Sequence, residues 1–129
     1  MASYTEAQRI AAAQAYIDAL VSHRADAVPF APTCTRVELG LKTGFSGNHL
    51  RRSLNRGLQY RVIESTTVPE FTVAGDHLRA RFDLVTKPRI AGRRVGAHID
   101  ETFRIPATGT TEHPEIQHIR AGIRPFLTS

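Results

Sequence analysis

The sequence has one cysteine, Cys34, two lysines, Lys42 and Lys87, and no tryptophan. A lone cysteine cannot close an intrachain disulfide, so the fold does not depend on oxidation. No apolar run approaches the length that spans a bilayer. No basic-then-apolar leader precedes Glu6. The expectation is a cytoplasmic chain with no membrane partner. There is no P-loop, no G-x-G-x-x-G between a strand and a helix, and no Ser/His/Asp motif, which removes nucleotide-dependent chemistry and leaves no cofactor to expect. His98 and Asp100 put two ligand types on one strand face. A metal needs three or four ligands, and neither His113 nor His118 completes the set, so no metal is expected.

The charge that is present is positive. The formal net charge is +5 with a pI near 10.1, a balance that points to nucleic acid or another anionic surface. The distribution argues against nucleic acid. The arginines are scattered from Arg9 to Arg124, with tight pairs only at Arg51-Arg52 and Arg93-Arg94. No aromatic residues interleave with them to stack bases. Hydrophobic residues make up 41% and charged residues 22% of the chain, which is globular rather than disordered. Its 129 residues read as a single domain spanning the whole chain.

Residues 5–22 show helical periodicity through Ile10, Ala13, Ile17, Leu20 and Val21, with Tyr16 at the stripe's edge. Ser3-x-x-Glu6 and Thr5-x-x-Gln8 both offer capping boxes. A second short helix is predicted over Asp26–Phe30, limited by Pro29. Cys34–Leu39 reads as a strand, and Gly40, Gly44 and Gly47 mark a loop after it. Asn48 is the expected N-cap of a helix from His49 to Arg56, stopped by Gly57. Tyr60–Val68, Glu70–Ala74, His77–Thr86, Arg94–Pro106 and Glu115–Arg124 follow as strands, with Gly75-Asp76 a turn and Thr108–Pro114 a polar loop. Helices at the front and hairpin-linked strands behind them predict an α+β layout. A strongly curved antiparallel sheet with one apolar face under N-terminal helices encloses an apolar pocket.

Three stretches carry a family resemblance. They are Ala15-Tyr16-Ile17-Asp18-Ala19-Leu20 followed by Phe30-Ala31, Gly92-Arg93-Arg94 running to Phe103-Arg104-Ile105, and Ile119-Arg120-Ala121. In order and spacing they resemble the superfamily of nuclear transport factor 2, ketosteroid isomerase and the SnoaL-like polyketide cyclases. The resemblance implies that the sheet is cone-shaped and half-open, and implies a homodimer paired through the outer sheet face, where His118 and Arg120 are interface candidates. In the isomerases a tyrosine and a protonated acid stabilise an oxyanion while a second acid moves the proton. Counting without gaps puts Tyr16 on the tyrosine, Glu38 on the proton-transferring acid and Glu101 on the oxyanion acid. Both acids are glutamate here where the isomerases have aspartate, which shifts each carboxyl by roughly one C–C bond, about 1.5 Å.

The residues themselves leave alternatives. Tyr16 either meets a ligand carbonyl or bonds a neighbouring strand or water. Glu38 faces solvent if Val37 and Leu39 face the helices, and the pocket otherwise. Glu101 shares parity with Ile99, Phe103 and Ile105 and so points inward, unless a bulge turns Asp100 in instead. The leading expectation is a cofactor-independent acid–base enzyme, isomerase- or cyclase-like, on a small apolar carbonyl compound such as a steroid or polyketide. Its site would be Tyr16, Glu38 and Glu101. The alternative is a non-catalytic small-ligand-binding or dimerisation module of the same fold. A third reading, an anion site at Arg51, Arg52 and Arg56, predicts steep salt dependence.

Overall fold

A computed structural model describes residues 1–128. Helix α1, Glu6–Ser22, starts at Thr5. The Thr5 hydroxyl accepts from the Gln8 amide at 3.1 Å, and the Gln8 side chain accepts from the Thr5 amide at 2.8 Å. The second of the two sequence boxes therefore forms. The buried face of α1 is wider than its aliphatic stripe, because Ala12 and Ala19 let the sheet approach closely. Tyr16 lies at the centre of that face at 1% exposure, not at its edge. Arg9 is buried with it and donates to the carbonyls of Ile105 and Gly75 at 2.7 and 2.6 Å, pinning the start of α1 across the sheet.

No helix forms at Asp26–Phe30. Ala25–Val28 is a turn whose first amide is taken by Asn55 Oδ1 at 2.7 Å. Pro29 disfavours helix at the residue before it, and β2, Phe30–Glu38, begins directly. After it, Leu39 and Gly40 have φ of 51° and 77°, the pair of positive angles that a type I′ hairpin turn demands. That turn makes a strand, β3 (Leu41–Gly44), from the predicted loop. Helix α2, Gly47–Arg56, is capped by Ser46, whose side chain accepts from the His49 amide, rather than by Asn48. Gly57 ends α2 with φ −64°. It is needed for closeness, since a Cβ there would sit 2.4 Å from the Ser53 carbonyl oxygen.

The predicted strand from Tyr60 is instead a single helical turn, α3 (Leu58–Arg61), followed by β4, Ile63–Thr66. Strands β5 (Glu70–Ala74), β6 (His77–Ile90), β7 (Arg93–Arg104) and β9 (Ile116–Leu127) complete a seven-stranded sheet in the order β3-β2-β9-β7-β6-β4, with β5 also paired to β6. The short β1 (Ala2–Ser3) and β8 (Thr108–Gly109) pair separately. The sheet is mixed: β2 runs parallel to β9, while its other described ladders are antiparallel. The architecture is α+β, a curved and unclosed sheet with helices on one face. Exposure along β6 rises in one direction. Leu78, Ala80, Phe82 and Leu84 are buried under α1, whereas Lys87 to Ile90 are exposed. The cone is packed shut at one end and open at the other. Among the described residues, no helix is long and apolar enough to cross a membrane.

Candidate active site

A cavity of about 380 Å³ lies between the helices and the sheet, towards the open end of the cone. Its walls are mostly aliphatic, including Leu20, Ile63, Leu84, Ile99 and Ile123. Small side chains leave the space. Glu101 on β7 is flanked across the ladders by Ala80 and Ala121, and Leu84 faces Ala97. Tyr16, Glu38, Tyr60 and Glu101 reach the same cavity from α1, β2, α3 and β7.

Glu101 points inward at 4% exposure, in unbroken register with both neighbouring strands. No bulge exchanges it with Asp100, which instead pairs with Arg79 on the outer face. Its Oε2 atom is buried without a hydrogen-bond partner. Burial, and then the Glu38 carboxyl, push its pKa up to about 8, against the pull of Arg36. At neutral pH the group is largely a neutral acid able to donate a hydrogen bond.

Glu38 also faces inward, with its side chain 20% exposed. The alternation along β2 explains this. Cys34, Arg36 and Glu38 share one face, so the fully buried Arg36 and the half-buried Glu38 enter together. Arg36 Nη1 donates to the Tyr16 hydroxyl at 3.3 Å. Its other nitrogens donate to Thr43 Oγ1 (3.1 Å), the Thr43 carbonyl (3.2 Å) and Ser53 Oγ (3.2 Å). The guanidinium lies over the Tyr60 ring, 4.8 Å from its centroid, and 3.6 Å from Glu38 Oε1. That same oxygen accepts from Thr43 Oγ1 and from the Tyr60 hydroxyl, both at 2.8 Å. Burial raises the pKa of both tyrosines well above the ordinary value, so each keeps its proton. The Tyr16 oxygen accepts from Arg36, which leaves its own proton free to point into the cavity.

The three residues expected from the sequence therefore share one cavity. Arg36, Thr43 and Tyr60 were not anticipated. The signal for Arg36 was the two-residue period of β2, which places it on whichever face holds Glu38. Tyr60 gave none, because its position depends on a single helical turn set by Gly57, whose carbonyl accepts from the Tyr60 and Arg61 amides at 3.1 Å.

Other candidates resolve differently. Burial pushes the Cys34 thiol up to about 12, which makes it an unreactive core group. Among the described residues, no cluster of three or more His, Cys, Asp or Glu could hold a metal. A larger groove, about 700 Å³, runs over the outer sheet face. Its acids have partners there: Asp100 pairs with Arg79, and Asp83 Oδ1 lies 2.7 Å from His98 Nδ1. His118 and Arg120 do lie on that outer face, with His118 Nδ1 2.7 Å from Thr35 Oγ1. Arg51 is tied to the Val28 carbonyl at 3.0 Å and stacks over Phe30, which gives it a structural use.

A family model described as Domain of unknown function (DUF8021) matches residues 2–122. No curated protein matches the chain. Several solved structures share its fold. A candidate isomerase of the SnoaL-like family from Agrobacterium tumefaciens superposes with a TM-score of 0.65 at 13% identity, over 92% of this chain and 98% of that one. AclR, a candidate hydroxylase from Streptomyces galilaeus, gives 0.64 at 14% identity, over 93% and 91%. LinA gives 0.58 at 11% identity, over 95% and 92%. At such identities the likeness shows the fold, of the SnoaL-like, nuclear transport factor 2-like kind, and nothing of the chemistry.

Proposed function

We propose, on the premise that the chain belongs to the DUF8021 family of domains, that its cavity is the site of a cofactor-independent acid–base enzyme. The substrate is a small, mostly apolar carbonyl compound such as a steroid or polyketide. The observation that carries this reading is Glu101, a buried acid with an unpartnered oxygen in a cavity whose walls are mostly aliphatic. Such a group is costly unless something completes its hydrogen bonding. A ligand carbonyl does so, accepting from the Glu101 carboxyl and from the Tyr16 hydroxyl.

Glu38 then removes a proton from the carbon α to that carbonyl. The C–H electron pair becomes the enolate double bond, and the negative charge moves to the oxygen held by Tyr16 and Glu101. Oε1 of Glu38 is occupied by Thr43, Tyr60 and Arg36, so Oε2 takes the proton. Returning it to a different carbon completes an isomerisation with no co-reactant. The second reading, a binding module, is favoured by the way Arg36 and Glu38 are tied into one network, as a purely structural ion pair would be.

An absorbance assay with a β,γ-unsaturated ketosteroid separates the two. On the enzyme reading Glu38→Gln keeps the acceptor for Tyr60 and Thr43 but lowers turnover by about a hundredfold or more, and Tyr16→Phe lowers it as well. Turnover that Glu38→Gln leaves unchanged removes Glu38 as the base, and a wild type with none while apolar ligands still bind points to the binding module.

A further inference from the structure

The open end of the cone differs from the rest of the surface in two ways at once. The first is apolar exposure. Leu39 and Leu41 stand at the β2–β3 turn, exposed by 65% and 70%. Leu58 on α3 is exposed by 78%, and Ile90 at the tip of the β6–β7 hairpin by 57%. The cavity lining and one backbone bond connect these segments. Leu39, Leu41, Gln59 and Thr86 all line the cavity, and the Lys87 amide donates to the Val62 carbonyl at 2.8 Å, joining the hairpin to α3.

The second difference is charge. Across residues 39–43, 58–64 and 86–94 the cations are Lys42, Arg61, Lys87, Arg89, Arg93 and Arg94. The one acid in those segments, Glu64, is already paired with Arg94. Both of the chain's lysines lie here, long flexible cations beside exposed leucines. Leu39 adds a third sign. It holds φ 51° in a turn that favours Asn at this place, so exposure and backbone strain are both tolerated to keep a leucine on the rim.

We propose that the open end of the cone docks on an anionic lipid surface, and that the apolar ligand enters the cavity from that surface. Exposed leucine and isoleucine side chains ringed by Lys and Arg match the boundary between acyl chains and acidic headgroups. A second copy of the chain fits this rim poorly, because a two-fold contact would bring Lys42, Arg61, Lys87, Arg89 and Arg93 against the same five cations of the other copy. Nucleic acid would use the cations and leave the leucines in water. The inference departs from the expectation of no membrane partner, which rested on the lack of a spanning segment; docking needs only a rim. It rests on the apolar-ligand reading of the cavity, but its test involves no turnover, so either can fail alone.

The test is co-sedimentation of the full chain with vesicles of phosphatidylcholine alone or mixed equally with phosphatidylglycerol. Binding to the mixed vesicles only, falling steeply with salt, is expected. Lys87→Glu with Arg89→Glu should weaken it by about tenfold or more, and Leu58→Glu with Ile90→Glu should weaken it comparably. All four positions lie outside the cavity lining, and circular dichroism checks that the variants fold. Absence of binding, or equal binding to both vesicle types, overturns the proposal. So does binding that survives Leu58→Glu with Ile90→Glu, which would mark a simple polyanion site. Self-association of wild type in sedimentation equilibrium, abolished by those two substitutions, would assign the rim to a second copy instead.

Discussion

The Tyr60 hydroxyl donates to Glu38 Oε1 at 2.8 Å, from a single helical turn to the end of a strand 22 residues earlier. The contact closes one side of the cavity and uses the oxygen that Thr43 also reaches. It holds the carboxyl group in one orientation, with Oε2 left for chemistry. Tyr60 is therefore a positioning residue on the acid–base reading, since it acts through Glu38.

A double-mutant cycle tests the pairing. Tyr60→Phe should destabilise the chain by about 1 kcal/mol, the net worth of such a hydrogen bond. Glu38→Ala removes the acceptor. Combining the two should give a coupling of at least about 0.5 kcal/mol in denaturant melts. Additive losses would mean that the two side chains do not act on each other.

The parts of the fold carried by local pattern were legible. His77–Thr86 and Arg94–Pro106 alternate cleanly, and the structure has β6 and β7 there. The same parity argument places Glu101 inside, because Ile99, Phe103 and Ile105 face the core with it. What stayed hidden depends on tertiary partners. The β2–β3 hairpin was obscured because its turn uses Leu39 at positive φ, where pattern reading looks for Asn or Gly. Helix α3 is one turn long, too short to show a period, and Tyr60 in isolation reads as a strand residue. The facing of Glu38 rested on a one-residue register that β9 sets by pairing parallel to β2. Arg36 is fully buried, which the contacts of Tyr16, Thr43, Ser53, Glu38 and the Tyr60 ring make tolerable, and those partners come from distant parts of the chain.

The second prediction concerns pH. The Glu101 pKa in the fold, about 8, lies above its ordinary value of 4.5. Between the two values the folded state holds a proton that the unfolded chain has released. The stabilising contribution is therefore complete below about 4.5 and is lost as pH rises through about 8. Glu101→Gln removes the titration and keeps the shape. Subtracting the variant's stability from that of wild type cancels the other groups, and the difference should fall by at least about 2 kcal/mol between pH 5 and pH 9, from a slope of up to about 1.4 kcal/mol per pH unit. Urea melts across that range provide the measurement. A flat difference would show that Glu101 is ionised throughout and would remove its role as a hydrogen-bond donor.

The cavity is a product of small residues, and that gives the last prediction. Ala97 faces Leu84 across the β6–β7 ladder, and both line the cavity. Ala97→Leu puts an isobutyl group into this space while touching none of Tyr16, Glu38 or Glu101 in the chain's covalent sense or in charge. If the space serves only as slack in the packing, filling it should stabilise the chain, by about 0.5–2 kcal/mol as cavity-filling changes commonly do, and alter nothing else. If the space holds a ligand, the same variant should keep or gain stability and lose ligand affinity or turnover by about tenfold or more, since even one misplaced methylene in an apolar pocket costs about 1–3 kcal/mol. Thermal melts with and without an apolar carbonyl ligand read both quantities on one sample. A stabilised Ala97→Leu chain whose ligand-induced shift in Tm equals that of wild type would place binding elsewhere, and the outer groove beside Arg79 and His98 would become the next site to probe.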